Sequence, residues 1–176
     1  MSIELFLLLQ ILLMSAGCAV ALFLLLSCLS FLYGAPFVPS DRRAVDAALK
    51  LAKLGKGEWF YDLGSGDGRA VFAASGLGAK AVGVEINPVL WLWGACLSVI
   101  MRRKASFIRA NFFDVDLRHA DVVFIYTWQG TNEKLEGKLE SELKKGARVV
   151  SHRFTFPGWK PGARDVKNRL ILYVKE

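Results

Sequence analysis

One short run, residues 60–70 (FYDLGSGDGRA), combines the residue types best suited to holding a ligand. Three glycines alternate with other residues, and two acids flank them: Gly64, Gly66 and Gly68, with Asp62 and Asp67. The phosphate-binding P-loop needs a Gly-Lys-Ser/Thr ending, and this run contains no lysine. The dinucleotide fingerprint needs a third glycine where Arg69 stands. Neither phosphate-binding pattern is complete.

The two acids indicate which ligand suits the run. A carboxylate of Asp62 or Asp67 within about 4 to 6 Å of a phosphate would be a like-charge contact. S-adenosylmethionine instead carries an ammonium group and a sulfonium, which attract carboxylates. The glycines let the backbone approach an adenosyl group closely, because they have no Cβ. The run therefore predicts a cationic nucleoside cofactor.

Two later stretches supply complementary groups. Glu85 ends a predicted strand about 20 residues further on, where an acid can accept hydrogen bonds from both ribose hydroxyls. Asn111 ends another predicted strand and could bond the edge of an adenine, while Phe112 or Phe113 could pack on its face. The order and spacing of these groups favour S-adenosylmethionine.

Strands and helices alternate in the part of the chain that must position these residues. The predicted strands are 58–64, 79–86, 105–111, 121–128, 147–154 and 169–175. The predicted helices are 42–54, 69–75, 89–103 and 132–144. This alternation predicts a doubly wound, Rossmann-like α/β domain with a mostly parallel sheet. Ligands of such sheets bind at the carboxyl ends of the strands, where residues 60–70 would lie.

The amino-terminal segment is apolar, with no charged residue from Leu5 to Tyr33. About 20 such residues suffice to cross a bilayer. Glu4 stands where a secretory signal needs basic residues, so a transmembrane helix is favoured over a cleaved signal. Arg42 and Arg43 follow the span and predict a single-pass protein with its domain on the cytoplasmic side, or the matrix side in a mitochondrion.

Three segments follow from these patterns. Residues 1–33 form the predicted transmembrane anchor, 34–41 a linker, and 42–176 the α/β domain. The net charge of +7 suits anionic lipid or acidic partners and is also compatible with nucleic acid. The three cysteines and two histidines have no metal-ligand spacing, so no metal site is expected.

Four stretches resemble one known family: PFVPSD (36–41), DLGSGDGR (62–69), GVEINPVL (83–90) and RFTFPGW (153–159). With them, the chain after Gly34 resembles the seven-strand, class I S-adenosylmethionine-dependent methyltransferases. More narrowly, it is similar to the membrane-anchored protein-lysine methyltransferases of the ATP synthase c-subunit and the adenine nucleotide translocase. The resemblance implies S-adenosylmethionine as cofactor and a lysine of a membrane or membrane-associated protein as acceptor.

The resemblance also implies a set of cofactor contacts. Residues that close over the cofactor would be Pro36, Phe37, Val38, Pro39 and Ser40. The direct contacts would be Asp62, Gly64, Ser65, Gly66, Asp67, Gly68, Glu85, Ile86, Asn87, Asn111 and Phe112. Asn111 departs from the pattern, because many relatives have an acid there. The short segment after the last predicted strand implies a compact antiparallel edge of the sheet.

The acceptor lysine has a reference pKa near 10.4 and must lose its proton, which an apolar, aromatic channel favours. Candidates for that channel follow the fourth and fifth strands: Tyr126, Thr127, Trp128, His152, Arg153, Phe154, Phe156 and Trp159. The alternative for the aromatic residues is packing under a loop, and for His152 and Arg153 a structural pair. Asp114 and Asp116 are interpreted as turn residues, and no catalytic base is identified.

Other acceptors and roles stay open at this point. The cofactor could serve a small lipophilic acceptor of the quinone or lipid type, or the fold could be a non-catalytic scaffold that only binds the cofactor. Nucleic acid is not expected as a partner, because YTWQ (126–129) replaces the NPPY-type tetrapeptide with which some methyltransferases hold a flipped base.

Overall fold

The computed structural model describes residues 3–32 and 40–176 as alternating helices and strands. The helices are α1 (Ile3–Leu32), α2 (Arg42–Leu51), α3 (Arg69–Gly76), α4 (Pro88–Ile100) and α5 (Gln129–Glu142), with a 3-10 turn at Phe112–Asp114. The strands are β1 (Trp59–Leu63), β2 (Lys80–Glu85), β3 (Ala105–Arg109), β4 (Val122–Ile125), β5 (Arg148–His152), β6 (Ala163–Asp165) and β7 (Leu170–Val174). The predicted α/β class is confirmed.

All seven strands form one sheet in the order β3-β2-β1-β4-β5-β7-β6. The first five in this order are parallel, and β7 pairs antiparallel with both β5 and β6. The strand order reverses between β1 and β4, so their carboxyl ends open a crevice at the usual ligand position of such sheets. The three-residue strand β6 escaped the sequence analysis, since it is too short to show an alternating pattern.

Helices cover both faces of the sheet, as the alternation of side chains along β1 and β4 requires. Phe60 and Phe124 belong to the core cluster that includes residues of α2 and α3. Leu63 and Ile125 belong to the other cluster, with Leu135 and other residues of α5. Successive side chains at the carboxyl ends of β1 and β4 therefore point to opposite faces of the sheet.

Helix boundaries differ from the predicted ones by a few residues. Asp41 caps α2, with the Arg43 N–H donating to its carboxylate at 3.0 Å. The helix ends at Leu51 rather than 54, and Lys53 takes a left-handed conformation with φ of 50°. In the same way α4 ends at Ile100, before the basic residues 102–104.

The ring of Phe107 in β3 lies in a socket formed by three glycines. A Cβ at Gly68, Gly83 or Gly94 would meet this ring at 2.6, 2.9 and 2.5 Å. Real Cβ atoms do not come so close, so each of these positions has room for glycine alone while Phe107 keeps its place. The socket joins the glycine turn, β2 and α4, and it fixes α4 close to the sheet.

The amino-terminal helix α1 is the one helix in residues 3–32 and 40–176 that is long and apolar enough to cross a membrane, over Ile3–Leu25. Its side chains in that stretch are exposed. A signal sequence near an amino terminus meets the same criteria of length and composition. The apolar character of this segment is therefore as the sequence predicts.

The glycine socket yields a stability prediction. Gly94→Ala should lower the free energy of unfolding by about 1 to 3 kcal/mol, because the added methyl overpacks against Phe107. Gly137→Ala is the matched control in α5, where a Cβ meets nothing within 4 Å. It should stabilise by about 0.5 to 1 kcal/mol, since alanine favours a helix. Equal shifts in thermal melting of the two variants would contradict the socket.

Candidate cofactor and acceptor site

The glycine turn leaves β1 and enters α3 through three left-handed residues. Gly64, Gly66 and Gly68 have φ of 87°, 55° and 80°, a region that side chains with a Cβ rarely adopt. The N–H groups of Gly64 and Ser65 both donate to the Val84 carbonyl at 2.9 Å, which ties the turn to β2. The turn therefore lies at the carboxyl ends of β1 and β2, as the sequence predicts.

Glu85 holds this turn in place. Its carboxylate accepts hydrogen bonds from the N–H groups of Gly66 and Asn87, both at 2.8 Å. The side chain is buried at the end of β2. A carboxylate offers about four acceptor positions, so two more can accept hydroxyl groups such as those of a ribose. The sequence suggested the ribose contact only, and the structure adds that Glu85 braces the glycine turn.

Asp62 is a buried acid beside this brace, with 5% of its surface exposed. Burial raises its pKa from the ordinary 3.8 to about 8, and the negative charges of Glu85 and Asp67 contribute. Burial also raises the pKa of Glu85. A cation bound next to these two acids would relieve both the desolvation and the mutual repulsion. The pair fits a ligand with a positive charge.

Asp67, in contrast, already has a cationic partner. Its carboxylate accepts from Nε of Arg69 at 2.9 and 3.0 Å and from Nη2 at 2.5 Å. Burial raises the pKa of Asp67, but the bonds to Arg69 outweigh it and hold the pKa below its ordinary value. The acids open to a ligand are therefore Asp62 and Glu85, and a direct contact of Asp67 stays a prediction.

The same arginine links the turn to the segment before α2. Nη1 of Arg69 donates to the carbonyl of Ser40 at 2.5 Å, and Ser40 is buried. This contact places the end of the predicted closing segment against the glycine turn. Pro36, Phe37, Val38 and Pro39 lie outside the described residues, and their role stays a prediction.

Ser65 contributes a buried hydroxyl to the turn. Its Oγ has no hydrogen-bond partner within residues 3–32 and 40–176, although buried hydroxyls nearly always have one. A polar ligand atom next to the turn would satisfy it. The orphaned hydroxyl, the open space at Gly64 and the acids fit a polar, cationic cofactor.

The remaining predicted cofactor residues lie at or just after the carboxyl ends of β2 and β3, and two of them cap helical segments. Oδ1 of Asn87 accepts from the N–H groups of Val89 and Leu90, at the start of α4. Oδ1 of Asn111 accepts from the N–H of Phe113 at 3.1 Å. Half-buried residues at the carboxyl ends of β2 and β3 complete the set: Ile86 and Phe112. Their contacts to a cofactor stay predictions.

Three of the predicted acceptor residues meet at the carboxyl ends of β4 and β5. The rings of Tyr126 and His152 lie 4.2 Å apart, and the guanidinium of Arg153 is 5.6 Å from the centre of the Tyr126 ring. Burial and the charges of Arg153 and Arg169 lower the pKa of His152 to about 4. Its Nδ1 is buried with no hydrogen-bond partner in the described part of the chain. The imidazole is therefore neutral near pH 7.

A hydrogen-bond network under this cluster was missed by the sequence analysis. Thr127 donates to Asn132 at 2.7 Å, Asn132 donates to Ser151 at 3.0 Å, and Ser151 donates to the Phe154 carbonyl at 2.7 Å. Asn132 and Ser151 are fully buried. The network fixes the loop after β5 to the start of α5. The signal in the sequence for this network was Asn132, a polar residue in the first turn of the amphipathic helix α5.

Predicted acceptor residues further along the loop lie apart from the cluster. Phe156 is 1% exposed and packs edge-on against Tyr173 in the core, with ring centres 5.4 Å apart. Trp159 packs against the same two rings. Phe156 and Trp159 therefore pack under the loop, which is the alternative that the sequence left open for these aromatic residues. Trp128 is exposed at the start of α5, and Phe154 is half-buried.

Comparison with known proteins decides the family. Residues 62–163 match the family described as the ANTKMT methyltransferase domain. The chain belongs to this methyltransferase family. A protein-lysine N-methyltransferase of Saccharolobus islandicus is 41% identical over 76% of this chain and 85% of its own length. The structure of an RNA methyltransferase of Salinibacter ruber with S-adenosyl-L-homocysteine is 34% identical, with a TM-score of 0.73, and covers 79% of this chain and 95% of that one.

Two mammalian lysine methyltransferases are also similar to this chain. The ATP synthase c-subunit lysine N-methyltransferase of Rattus norvegicus is 37% identical over 72% of this chain. The adenine nucleotide translocase lysine N-methyltransferase of Mus musculus is 39% identical over 73%. The chain spans only 59% and 57% of their lengths. Membership of the family establishes a methyltransferase that uses S-adenosylmethionine, and the acids and open hydroxyl at the glycine turn fit that cofactor.

Asp62 makes the stability of the free protein depend on pH. Between about pH 4 and pH 8 the folded chain keeps a proton on this carboxyl that the unfolded chain has released. The free energy of unfolding therefore falls as the pH rises through this window. In Asp62→Asn the free energy of unfolding should fall less between these two pH values, as measured by thermal melting across that range.

Asp114→Asn is the control, since Asp114 is an exposed acid of the 3-10 turn. It should retain the dependence on pH of the unchanged protein. If Asp62→Asn and Asp114→Asn melt with the same slope, the buried acid pair does not determine the dependence.

Proposed function

We propose that this chain is a membrane-anchored methyltransferase that transfers a methyl group to the side-chain amine of a lysine in a membrane or membrane-associated protein. The observation that carries the proposal is the 41% identity to a protein-lysine N-methyltransferase along most of that protein's length. The neutral aromatic and imidazole cluster beside the cofactor crevice supports it, because an amine acceptor must react without its proton.

S-adenosylmethionine supplies a methyl group bound to a sulfonium sulfur. A nucleophile would take this methyl group by in-line displacement, with the sulfur as the leaving group. The protein has to align the two partners and keep water out, and such alignment alone accounts for a large rate enhancement. The glycine turn braced by Glu85 holds the donor's side of the crevice. Tyr126 and His152 border the acceptor's side at the ends of β4 and β5.

The acceptor cluster favours a neutral amine in two ways. A half-buried aromatic surface at Tyr126 disfavours the charged ammonium by desolvation. The nearby guanidinium of Arg153 disfavours it by like-charge repulsion. His152 has a pKa of about 4 and is too weak a base to take the proton of a lysine, so the proton leaves to water. The unpartnered nitrogen of His152 is suited to orienting the neutral amine by a hydrogen bond.

The membrane part of the proposal rests on α1 and on the relatives. Helix α1 would anchor the domain, and Arg42 and Arg43 after it favour a cytoplasmic or matrix-side domain. The mammalian relatives are named for the ATP synthase c-subunit and for the adenine nucleotide translocase. By analogy with those names, the acceptor of this chain is a membrane protein. An anchored enzyme meets such an acceptor within the same bilayer.

RNA is a second candidate acceptor, favoured by one comparison. The Salinibacter ruber protein that is 34% identical to this chain is described as an RNA methyltransferase. The net charge of +7 is compatible with binding to phosphates. The loop after β4 lacks the tetrapeptide that holds a flipped base, which favours lysine over a base amine.

The proposal is tested by following a radioactive methyl group. Cell membranes and RNA from cells that lack this protein are incubated with the full chain in detergent and labelled S-adenosylmethionine. Protein, lipid and RNA are then separated. We expect the label in protein, with methylated lysine identified by mass spectrometry. Asp62→Asn should lower the incorporation at least tenfold, because it removes the buried carboxyl that can ionise beside the cationic cofactor, and Asp114→Asn should not.

The three fractions separate the competing acceptors. Label only in RNA would support the second candidate, and label only in lipid would indicate a lipophilic acceptor. Either result overturns the lysine proposal. Absence of label in every fraction, with cofactor binding intact in calorimetry, would indicate a protein that binds the cofactor without transfer.

Arg153 gives a prediction on the pH profile of the reaction. In Arg153→Gln the acceptor amine should keep its proton to a higher pH. The rising limb of the pH–rate profile should then move to higher pH by roughly half a unit. The shift is small because solvent screens the charge of the exposed arginine. Arg164→Gln, an exposed arginine of β6, is the control and should leave the profile in place. An unchanged profile in Arg153→Gln would exclude this role.

A further inference from the structure

Helix α4 carries an exposed stripe made entirely of apolar residues. The outward positions follow helical spacing on one side: Val89, Leu92, Trp93, Cys96, Val99 and Ile100. Val99 and Ile100 are 76% and 74% exposed, and Trp93 is 56% exposed. No charged residue occurs between Ile86 and Met101. A helix on the surface of a domain ordinarily has a polar outer face, so this stripe requires a partner.

The inner side of α4 is fully used by the fold. Leu90 and Gly94 are buried, and Gly94 lies against the ring of Phe107. The indole N–H of Trp91 donates to the Phe107 carbonyl at 3.1 Å. The exposed stripe is thus a second apolar surface on a helix that is already packed. A few residues of α1 approach α4, and the stripe is exposed in their presence.

A basic cluster directly follows the stripe. Arg102, Arg103 and Lys104 are all exposed, and none of them forms an ion pair with another described residue. Arg109, on the edge strand β3 next to α4, is exposed as well. An apolar stripe with unpaired cations at its end is complementary to a bilayer surface, where acyl chains lie beneath anionic head groups.

We infer that α4 is an interfacial helix that rests in the surface of an anionic bilayer, in addition to the anchor α1. Its thirteen residues span about 20 Å, too short to cross a bilayer and suitable for lying along one. Trp93 would sit at the level of the head groups, as tryptophan commonly does. Arg102, Arg103 and Lys104 would pair with lipid phosphates.

This contact would orient the domain on the membrane. The first residue of α4 follows Asn87, and Glu85 lies two residues earlier, at the carboxyl edge of the sheet. Lipid contact along α4 therefore begins one turn away from the cofactor crevice. The crevice would then face the head-group region. The inference stands on α4 alone and does not depend on which acceptor is methylated.

A label at Cys96 tests the inference, because this native cysteine lies on the stripe. The full chain with Cys18→Ser and Cys28→Ser is spin-labelled at Cys96 and reconstituted in phosphatidylcholine–phosphatidylglycerol vesicles. Collision rates with oxygen, which concentrates in lipid, and with a water-soluble nickel chelate are then compared. The control carries Cys96→Ser and Lys134→Cys, an exposed site on α5. A second stripe label, Val99→Cys with Cys96→Ser, guards against a local disturbance at Cys96.

At both stripe sites the ratio of oxygen to nickel collisions should be several-fold higher than at the control. The difference should shrink in vesicles of phosphatidylcholine alone, because the basic cluster loses its anionic partner. Stripe labels as accessible to nickel as the control would overturn the inference. Labels protected from both reagents would also overturn it, because they would indicate that a protein surface covers the stripe.

Discussion

The hydrogen bonds from the glycine turn to the Glu85 carboxylate are the constraint on which the site depends. They join the end of β2 to Gly66 and, through Asn87, to the start of α4. A negative charge is thereby held beside a second buried acid, Asp62. Two carboxylates at one end of a sheet are unfavourable by themselves. A bound cationic cofactor would relieve the desolvation and the repulsion of these two acids, and this gain in free energy would favour binding.

The two sides of the crevice have opposite electrostatic character. The donor side presents the two buried acids Asp62 and Glu85, whereas Asp67 is already paired with Arg69. The acceptor side has a neutral imidazole, an aromatic ring and an exposed guanidinium. A cation is thus attracted to one side and an amine is favoured in its neutral form on the other. This division of charge is suited to the transfer of a methyl group from a cationic donor to a neutral amine.

Much of the fold was predictable because it depends on local patterns. Alternating strands and helices, the Asp41 cap and the glycine turn can all be recognised in short segments. Strand β6 was missed because three residues carry no periodicity, and its pairing with β7 is a long-range feature. The role of Gly94 was likewise hidden, since it depends on Phe107, which is distant in sequence.

The cofactor side and the acceptor side of the site differ in how their predicted residues are arranged in the sequence. The acids and glycines occur in two compact motifs, whereas the acceptor cluster combines the ends of two strands. The sequence could not show that Phe156 packs into the core cluster with Tyr173 while His152 packs against Tyr126. His152 is the last residue of β5 and Phe156 lies in the loop after it, and the chain turns between them at Arg153, with φ of 74°. The buried network through Asn132 depends on the same tertiary arrangement.

The most direct test of the account is a crystal structure of the protein with S-adenosyl-L-homocysteine bound. The account predicts the ribose hydroxyls at the carboxylate of Glu85 and the amino group of the ligand on the side of Asp62. It also predicts the homocysteine sulfur facing the cluster of Tyr126 and His152. A ligand bound away from the glycine turn, or one whose amino group points away from both acids, would contradict the central claim.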